Sequence, residues 1–181
     1  MKYHHAVMLA VATAPVLVFA APLSKSDHAI IMHIADSLGV PESVADRMQI
    51  EESGDPMSGA WGESSAIGPK GSDGARCLGL YQLNPRCLDW LVSMFFPCDA
   101  TYFEWDDPID NAIVALGYMR WLHDQFGSWY NSACAFNAGP GTFRHGLISH
   151  GDKYSKTREY ARRIIGWSGG GAKCYRKSAI E

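Results

Sequence analysis

The chain has 181 residues, of which 47% are hydrophobic and 19% charged, and its formal net charge is −3. Like charges do not cluster into blocks, so neither a nucleic-acid-binding face nor an electrostatic membrane patch is predicted. A chain of this length supports one domain with its own hydrophobic core.

Residues 1–20 are typical of a secretory signal peptide. Lys2 lies near the start, an apolar run with few interruptions covers residues 6–20, and cleavage is expected after Ala20 or Ala21. The run is too short to span a membrane comfortably, and no later segment reaches ~18 consecutive apolar residues. We therefore predict an exported protein, periplasmic or secreted, without a transmembrane segment once the signal peptide is removed.

The first predicted helix begins at Ser26, whose side chain is a good N-cap, and ends at Gly39. Pro41 then suits the first position of a second helix, and Gly54 suits its end. Because the turn between the two helices is so short, they are expected to pack against each other.

The second helix places a carboxylate beside the predicted core. Its apolar face comprises Val44, Ala45 and Met48. Glu52 follows Met48 by one turn on that face, and Glu51 lies on the other shoulder of the same stripe. Apolar surroundings and the negative end of the helix dipole both raise the pKa of a carboxyl group. Such a group stays protonated near neutral pH and can act as a general acid, and helix geometry alone leaves this role open between the two glutamates.

A Gly-rich segment over residues 55–77 is predicted to be a loop that forms one wall of a cleft. After it, Gly79 allows close approach of the backbone, and Gln82 carries an amide that suits sugar hydroxyls and acetamido groups. A buried structural glutamine is the equal alternative at that position. Strand signals are weak along the whole chain.

The remaining predicted elements are helices. They cover residues 87–94, 110–126, 130–136 and 154–167. The helix over 110–126 has a wide apolar face and is expected to be central, with Asp110 as its cap and Gly127 at its end. Pro140-Gly141 fits the middle of a type II turn. Residues 168–181 form a Gly-rich basic tail, which is predicted to be flexible.

Five cysteines follow the predicted signal peptide: Cys77, Cys87, Cys98, Cys134 and Cys174. Export favours disulfides, and the odd number leaves one thiol free or paired with another chain. We expect at least one bridge within the loop-rich trio Cys77, Cys87 and Cys98. Neither a C-x-x-C pair nor an H-x-x-x-H pair occurs, so no metal site is predicted.

Four short motifs, in this order and spacing, resemble those of the soluble lytic transglycosylases, a lysozyme-like family of peptidoglycan-cleaving enzymes. The matching stretches are Glu52-Ser53, Gly79-Leu80-Tyr81-Gln82, Phe136-Asn137-Ala138-Gly139-Pro140-Gly141 and Lys156-Thr157-Arg158-Glu159-Tyr160-Ala161. Asn111 and Gly117 lie where the central helix of the family often has these residue types. The resemblance runs from about residue 27 to residue 167, which is most of the chain after the predicted signal peptide.

The resemblance implies a mainly α, lysozyme-like domain over residues 21–167, with long Gly-rich loops lining a cleft. It selects Glu52 over Glu51 as the catalytic residue. The implied substrate-binding residues are Ser53, Gly79, Tyr81, Gln82, Phe136, Asn137, Ala138 and Tyr160. Tyr81 stands where the family usually has methionine, and Phe136 where it usually has tyrosine. The serine that the family often places before Gly79 is open between Ser64, Ser65 and Ser72.

The implied reaction uses one glutamic acid for both proton transfers and requires no metal or organic cofactor. It cleaves peptidoglycan glycan strands between N-acetylmuramic acid and N-acetylglucosamine and leaves 1,6-anhydro ends. One alternative is a hydrolytic lysozyme on the same fold, with Asp55 or Asp73 positioning a water molecule. Another is an inactive glycan-binding assembly protein. Small exported family members open the wall locally, which implies a secretion, conjugation, pilus or phage-entry apparatus as a partner.

Overall fold

The computed structural model describes residues 22–71, 73–144 and 154–166. The helices are α1 (Lys25–Ser37), α2 (Glu42–Ser53), α3 (Pro85–Phe95), α4 (Pro108–Phe126), α5 (Trp129–Ala138), α6 (Pro140–Arg144) and α7 (Ser155–Ile164). Two strands lie between α2 and α3: β1 (Ile67–Lys70) and β2 (Arg76–Leu78). The predicted signal peptide, Ser72, Trp167, Cys174 and the predicted tail 168–181 lie outside the described residues.

The short turn between α1 and α2 packs the two helices against each other, as predicted. Ser24, and not Ser26, caps α1, because the Asp27 backbone N–H donates to the Ser24 side chain at 3.1 Å. Pro41 is itself the cap of α2, one position before the predicted one, and Gly54 ends the helix as expected. The α2 residues that face the core include Val44, Ala45 and Met48.

The segment predicted as an uninterrupted loop contains a small antiparallel hairpin formed by β1 and β2. Pro69 lies inside β1, where it cannot donate a ladder hydrogen bond, and the pairing is irregular between Ile67 and Lys70. A strand this short with glycine and proline inside it has no period-2 pattern, which is why the sequence did not indicate it. The hairpin runs directly into the Gly79–Gln82 turn.

The central position predicted for α4 is confirmed, because this helix packs against α1, α3 and α5. Its buried face includes Ala112, Ala115, Leu116, Met119 and Leu122, each fully buried. Asp107, rather than Asp110, caps it by accepting the backbone N–H groups of Ile109 and Asp110. Gly127 ends α4 at φ +73°, a left-handed conformation that glycine adopts without strain.

The C-terminal helices close the domain over α2 and α4. α5 extends to Ala138, two residues beyond the prediction, and Pro140-Gly141 begins the short helix α6 instead of forming a type II turn. Proline is well suited to the first turn of a helix, which explains the difference. α7 packs against both α5 and α2, and its buried side includes Tyr160, Ala161 and Ile164. Among the described residues, no helix is long and apolar enough to cross a membrane.

The structure corrects the expectation of a disulfide within the cysteine trio, since Cys77, Cys87 and Cys98 are free thiols. Cys87 lies in the first turn of α3 and Cys98 follows the end of that helix. The helix between them is ~12 Å long, whereas a disulfide requires Cα atoms within about 7 Å. Cys77 lies on β2 and is half-buried. Burial, followed by the nearby Glu52 carboxyl, raises the pKa of its thiol.

These environments predict unequal thiol reactivity. In the reduced protein at pH 8, iodoacetamide is expected to modify the exposed Cys87 and Cys98 roughly 10-fold faster than Cys77, because the thiolate is the nucleophile. Peptide mass spectrometry over a time course measures the three rates. Equal rates at all three sites would contradict the environment described for Cys77.

Candidate active site

A buried carboxyl group and a buried phenol meet where α2 ends against α7. The Tyr160 hydroxyl donates to Glu52 Oε1 at 2.6 Å. Tyr160 is only 6% exposed. The Glu52 residue keeps part of its surface open, while protein atoms enclose its carboxyl group. The pair joins two helices that are 108 residues apart along the chain.

Burial is the main cause that raises the pKa of Glu52, from an ordinary 4.5 to about 7. The Tyr160 hydrogen bond opposes this by stabilising the carboxylate, and the negative charge of Glu51 adds to the rise. A carboxyl group with such a pKa is protonated in a large fraction of molecules at neutral pH. It can therefore both donate and accept a proton.

Ser53 fastens the end of α2 to the turn that follows β2. Its hydroxyl donates to the Leu80 carbonyl at 2.7 Å. Gly62 passes so close to Ser53 that a β-carbon at position 62 would overlap the serine side chain. Ser53, the residue after Glu52, therefore holds the C-terminal end of α2 in place against this turn.

The Gln82 amide binds the main chain rather than open space. Its Nε2 group donates to the carbonyls of Gly79 at 2.8 Å and Ala66 at 3.2 Å. Gln82 has φ +49°, and it is the single non-glycine residue with positive φ in the described ranges. Both observations favour the structural alternative for this amide, which braces the turn against β1.

Tyr81 lies in the core and has no exposed surface. Its hydroxyl donates to the Ala45 carbonyl at 3.2 Å, near the start of α2. Burial raises its pKa far above the ordinary tyrosine value, so the phenol stays neutral. The expected substrate contact by this side chain is not what its placement provides, because the aromatic ring instead supports the helix that carries Glu52.

Asn111 organises the same turn, a role that the sequence analysis did not assign. It is fully buried, its Oδ1 accepts the Tyr81 backbone N–H at 2.8 Å, and its Nδ2 donates to the Trp105 carbonyl at 3.0 Å. A β-carbon on Gly79 would overlap both Asn111 and that carbonyl. The available signal was a lone amide on the apolar face of α4, because buried amides need hydrogen-bond partners.

The second expected substrate-binding motif lies at the C-terminal end of α5. Asn137 is exposed, and its Oδ1 accepts the hydroxyl of the buried Thr157 on α7 at 2.9 Å. Phe136 packs at a tilt on Tyr118, with the ring centroids 5.7 Å apart. Ala138 is the last residue of the helix and is partly exposed. The helix α7 therefore contacts Glu52 through Tyr160 and fixes the orientation of the Asn137 amide.

Asp55 and Asp73, the two aspartates considered as water-positioning groups, stabilise the loops in which they lie. Asp55 accepts the Ser58 hydroxyl at 2.6 Å and the Met57 backbone N–H at 2.9 Å. Asp73 accepts the Asn84 amide at 2.9 Å and the Ala75 backbone N–H at 3.0 Å. In each case these hydrogen bonds lower the pKa of the carboxyl group. Ser64 and Ser65 lie in the loop before β1 and are partly buried.

This helical fold, with the Glu52 carboxyl group enclosed at a helix end, is lysozyme-like. Residues 47–158 match the family described as the transglycosylase SLT domain, which is more than half of the chain, and the protein belongs to this family. Comparison with curated proteins gave no match.

Two solved structures share the fold. The lytic transglycosylase Slt of Pseudomonas aeruginosa, solved as an inactive glutamate-to-glutamine mutant, is 24% identical with a TM-score of 0.57, and the match covers 76% of this chain. The 70 kDa soluble lytic transglycosylase SLT70 of Escherichia coli is 24% identical with a TM-score of 0.58, over 80% of this chain. The match covers only 22% and 23% of those two proteins, respectively.

Proposed function

We propose that the protein is an exported lytic transglycosylase that cleaves peptidoglycan between N-acetylmuramic acid and N-acetylglucosamine and leaves 1,6-anhydro ends. The observation that carries this proposal is the Glu52 carboxyl group, whose pKa of about 7 and bond to Tyr160 suit both proton transfers. The inactive Pseudomonas aeruginosa Slt carries a glutamate-to-glutamine substitution, which agrees with one essential glutamate.

In the first step, protonated Glu52 gives its proton to the glycosidic oxygen. The bond between that oxygen and C1 of N-acetylmuramic acid breaks, and the substrate's own acetamido group stabilises the cationic sugar. No second carboxylate is then needed beside the reacting carbon. Tyr160 keeps its hydrogen bond to Oε1 and stabilises the carboxylate that forms.

In the second step, the Glu52 carboxylate takes the proton from the 6-hydroxyl of the same sugar. The freed oxygen attacks C1 and closes the 1,6-anhydro ring. Glu52 is thereby returned to its protonated form, so the two steps balance without water or cofactor. A pKa near neutrality serves both directions of transfer.

The other motif residues divide into a supporting group and a substrate-facing group. Ser53, Gly79, Tyr81 and Gln82 hold the end of α2 and the adjacent turn in place. Asn137 is the exposed amide, and because Thr157 occupies its Oδ1, its Nδ2 group remains as a donor for a sugar or acetamido oxygen. Phe136 and Ala138 line the same end of α5.

Transglycosylation is favoured over hydrolysis by the state of the two aspartates. The carboxylate oxygens of Asp55 and Asp73 accept hydrogen bonds from nearby residues of the chain, which leaves both groups poorly placed to activate water. The proposed site of action is the periplasm or the cell exterior, after removal of residues 1–20. We further propose local wall opening for a secretion, conjugation, pilus or phage-entry apparatus.

The product distinguishes the two reactions. The protein without residues 1–20 is incubated with purified peptidoglycan, and the soluble fragments are analysed by mass spectrometry. Anhydro-muropeptides, one water lighter than the hydrolytic products, are the expected result. Detection of reducing-end fragments alone would overturn the transglycosylase proposal in favour of a lysozyme.

A further inference from the structure

A second contact between α2 and α7 lies beside the first. The Arg163 side chain donates through Nε to Glu51 Oε1 at 2.7 Å. The Glu51 side chain is only 8% exposed, whereas that of Arg163 is 45% exposed. Glu51 is thus a nearly buried carboxylate, next in the chain to Glu52, with its charge compensated from another helix.

We propose that Glu51 and Arg163 form a positioning pair for the general acid, which seats α7 on α2 and balances the charge next to Glu52. This inference rests on the proposed function, in which Glu52 transfers the protons. Neither residue touches the reacting atoms, so the pair acts through Glu52 and Tyr160.

The geometry of the helices supports a positioning role. Arg163 follows Tyr160 by three residues, so both side chains leave α7 on the same face, one turn apart. Their partners, Glu51 and Glu52, are consecutive on α2. Two adjacent contacts fix the rotation of one helix against the other, which a single contact cannot do. Arg163 is also held within α7 by Glu159, at 3.0 Å.

The charges around Glu52 explain why the pair needs both members. On α2 the neighbouring charge is Glu51. From α7, Tyr160 contacts Glu52 directly, and Arg163 lies close to Tyr160 with Glu159 as its own second partner. From β2, the Cys77 thiol lies close to Glu52. Arg163 is the cation that binds Glu51. Its removal would leave an uncompensated negative charge beside the acid, and removal of Glu51 would leave the Arg163 cation there with Glu159 as its remaining partner.

The two single variants are therefore expected to shift the pKa of Glu52 in opposite directions. Glu51→Gln should lower it by about half a unit, because the carboxylate of Glu52 loses a neighbouring like charge while the Arg163 cation stays nearby. Arg163→Gln should raise it by a similar amount, and the double variant should return close to the wild-type value. Titration of the ¹³C-labelled Glu52 carboxyl by NMR measures these shifts without any substrate.

Activity provides the second readout. The alkaline limb of kcat/KM on peptidoglycan should move with the titration, down in pH for Glu51→Gln and up for Arg163→Gln. Arg163→Lys keeps the charge and should restore the wild-type limb. The control is the exposed Arg120–Asp124 pair on α4, at 3.0 Å, whose neutral variants Arg120→Gln and Asp124→Asn change net charge equally and should shift nothing.

Shifts of the two single variants in the same direction, or no shift in folded protein, would overturn the positioning pair. If Arg163→Gln fails to fold, the question is still decided: Glu51→Gln must lower the pKa of Glu52 and Arg163→Lys must leave it at the wild-type value, and any other outcome overturns the pair. Wild-type cleavage without these shifts would overturn the pair alone. The expected shifts in a protein that never cleaves glycan would overturn the proposed function alone.

Discussion

Glu52→Gln is expected to lower glycan cleavage roughly 10³-fold or more while making the folded protein more stable. One side chain performs both proton transfers in the proposed reaction, so its loss should lie at the high end of general acid–base effects, which are about 10²–10⁴-fold. The amide keeps the size of the carboxyl group and still accepts the Tyr160 hydroxyl. Release of soluble fragments from peptidoglycan measures the activity.

The gain in stability follows from the raised pKa of Glu52. Between pH 4.5 and about 7, folded Glu52 retains a proton that the unfolded chain has lost, so the free energy of unfolding falls as pH rises through this window. The total loss is at most about 3.5 kcal/mol, since the pKa rises from 4.5 to about 7 and each pKa unit corresponds to ~1.4 kcal/mol. The amide that replaces the carboxyl group does not titrate, so the variant should melt roughly 7–14 °C above wild type at pH 8. The difference should vanish near pH 4.

Glu42→Gln provides the matched control, because Glu42 is exposed in the first turn of the same helix. It should leave both the activity and the pH dependence of stability close to wild type. A Glu52→Gln protein that still cleaves peptidoglycan would remove Glu52 from the mechanism. A Glu52→Gln protein that melts below wild type at pH 8 would show that burial of ionised Glu52 does not destabilise the fold.

The sequence predicted the helix that carries the candidate acid, because the relevant signals are local. Pro41, Gly54 and the apolar spacing that includes Met48 lie within one stretch of chain, and the structure places them as expected apart from the shift in the cap. Periodicity could not choose between Glu51 and Glu52, since both lie at edges of the stripe. The family resemblance selects Glu52, and in the structure the contacts with α7 distinguish the two side chains: Glu52 binds Tyr160 and Glu51 binds Arg163.

Other features escaped prediction because they depend on contacts between distant segments. The ion pair of Glu51 with Arg163 joins residues 112 apart, and the bond from the Tyr81 backbone to Asn111 spans 30. The β1–β2 hairpin has no strand-like pattern of its own and is stabilised in part by Gln82, which donates to the Ala66 carbonyl. Local propensity does not report which distant group satisfies a polar atom.

Polar side chains around the Gly79–Gln82 turn all bind its main chain. From α2, the Ser53 hydroxyl donates to the Leu80 carbonyl, and from α4, the Asn111 side chain accepts the Tyr81 backbone N–H. Within the turn, the Gln82 amide donates to the Gly79 carbonyl. The turn thus connects the central helix to the helix that ends in the candidate acid. A catalytic group must be held within about 0.5 Å of its productive position, and supporting hydrogen bonds of this kind restrict the movement of the turn beside it.

Gly79→Ala tests this connection and is expected to destabilise the fold by about 2–4 kcal/mol. The residue has φ +77°, which costs an alanine roughly 1 kcal/mol. Its new β-carbon would also overlap the Asn111 amide and the Trp105 carbonyl, and overpacking of this kind costs about 1–3 kcal/mol more. Chemical denaturation measures the change in the free energy of unfolding.

Gly74→Ala is the matched control for this substitution. Gly74 has φ +79°, yet a β-carbon there would meet nothing within 4 Å. It should therefore show the backbone cost alone, about 1 kcal/mol, and leave glycan cleavage unchanged. The additional loss of unfolding free energy in Gly79→Ala measures the close packing of the turn against α4. Cleavage by the folded fraction should also fall, because the displaced turn is hydrogen-bonded to Ser53 at the end of α2. Equal losses in the free energy of unfolding would mean that Asn111 and the turn move to accommodate the new β-carbon at little cost. The turn would then not be what holds Glu52 in position.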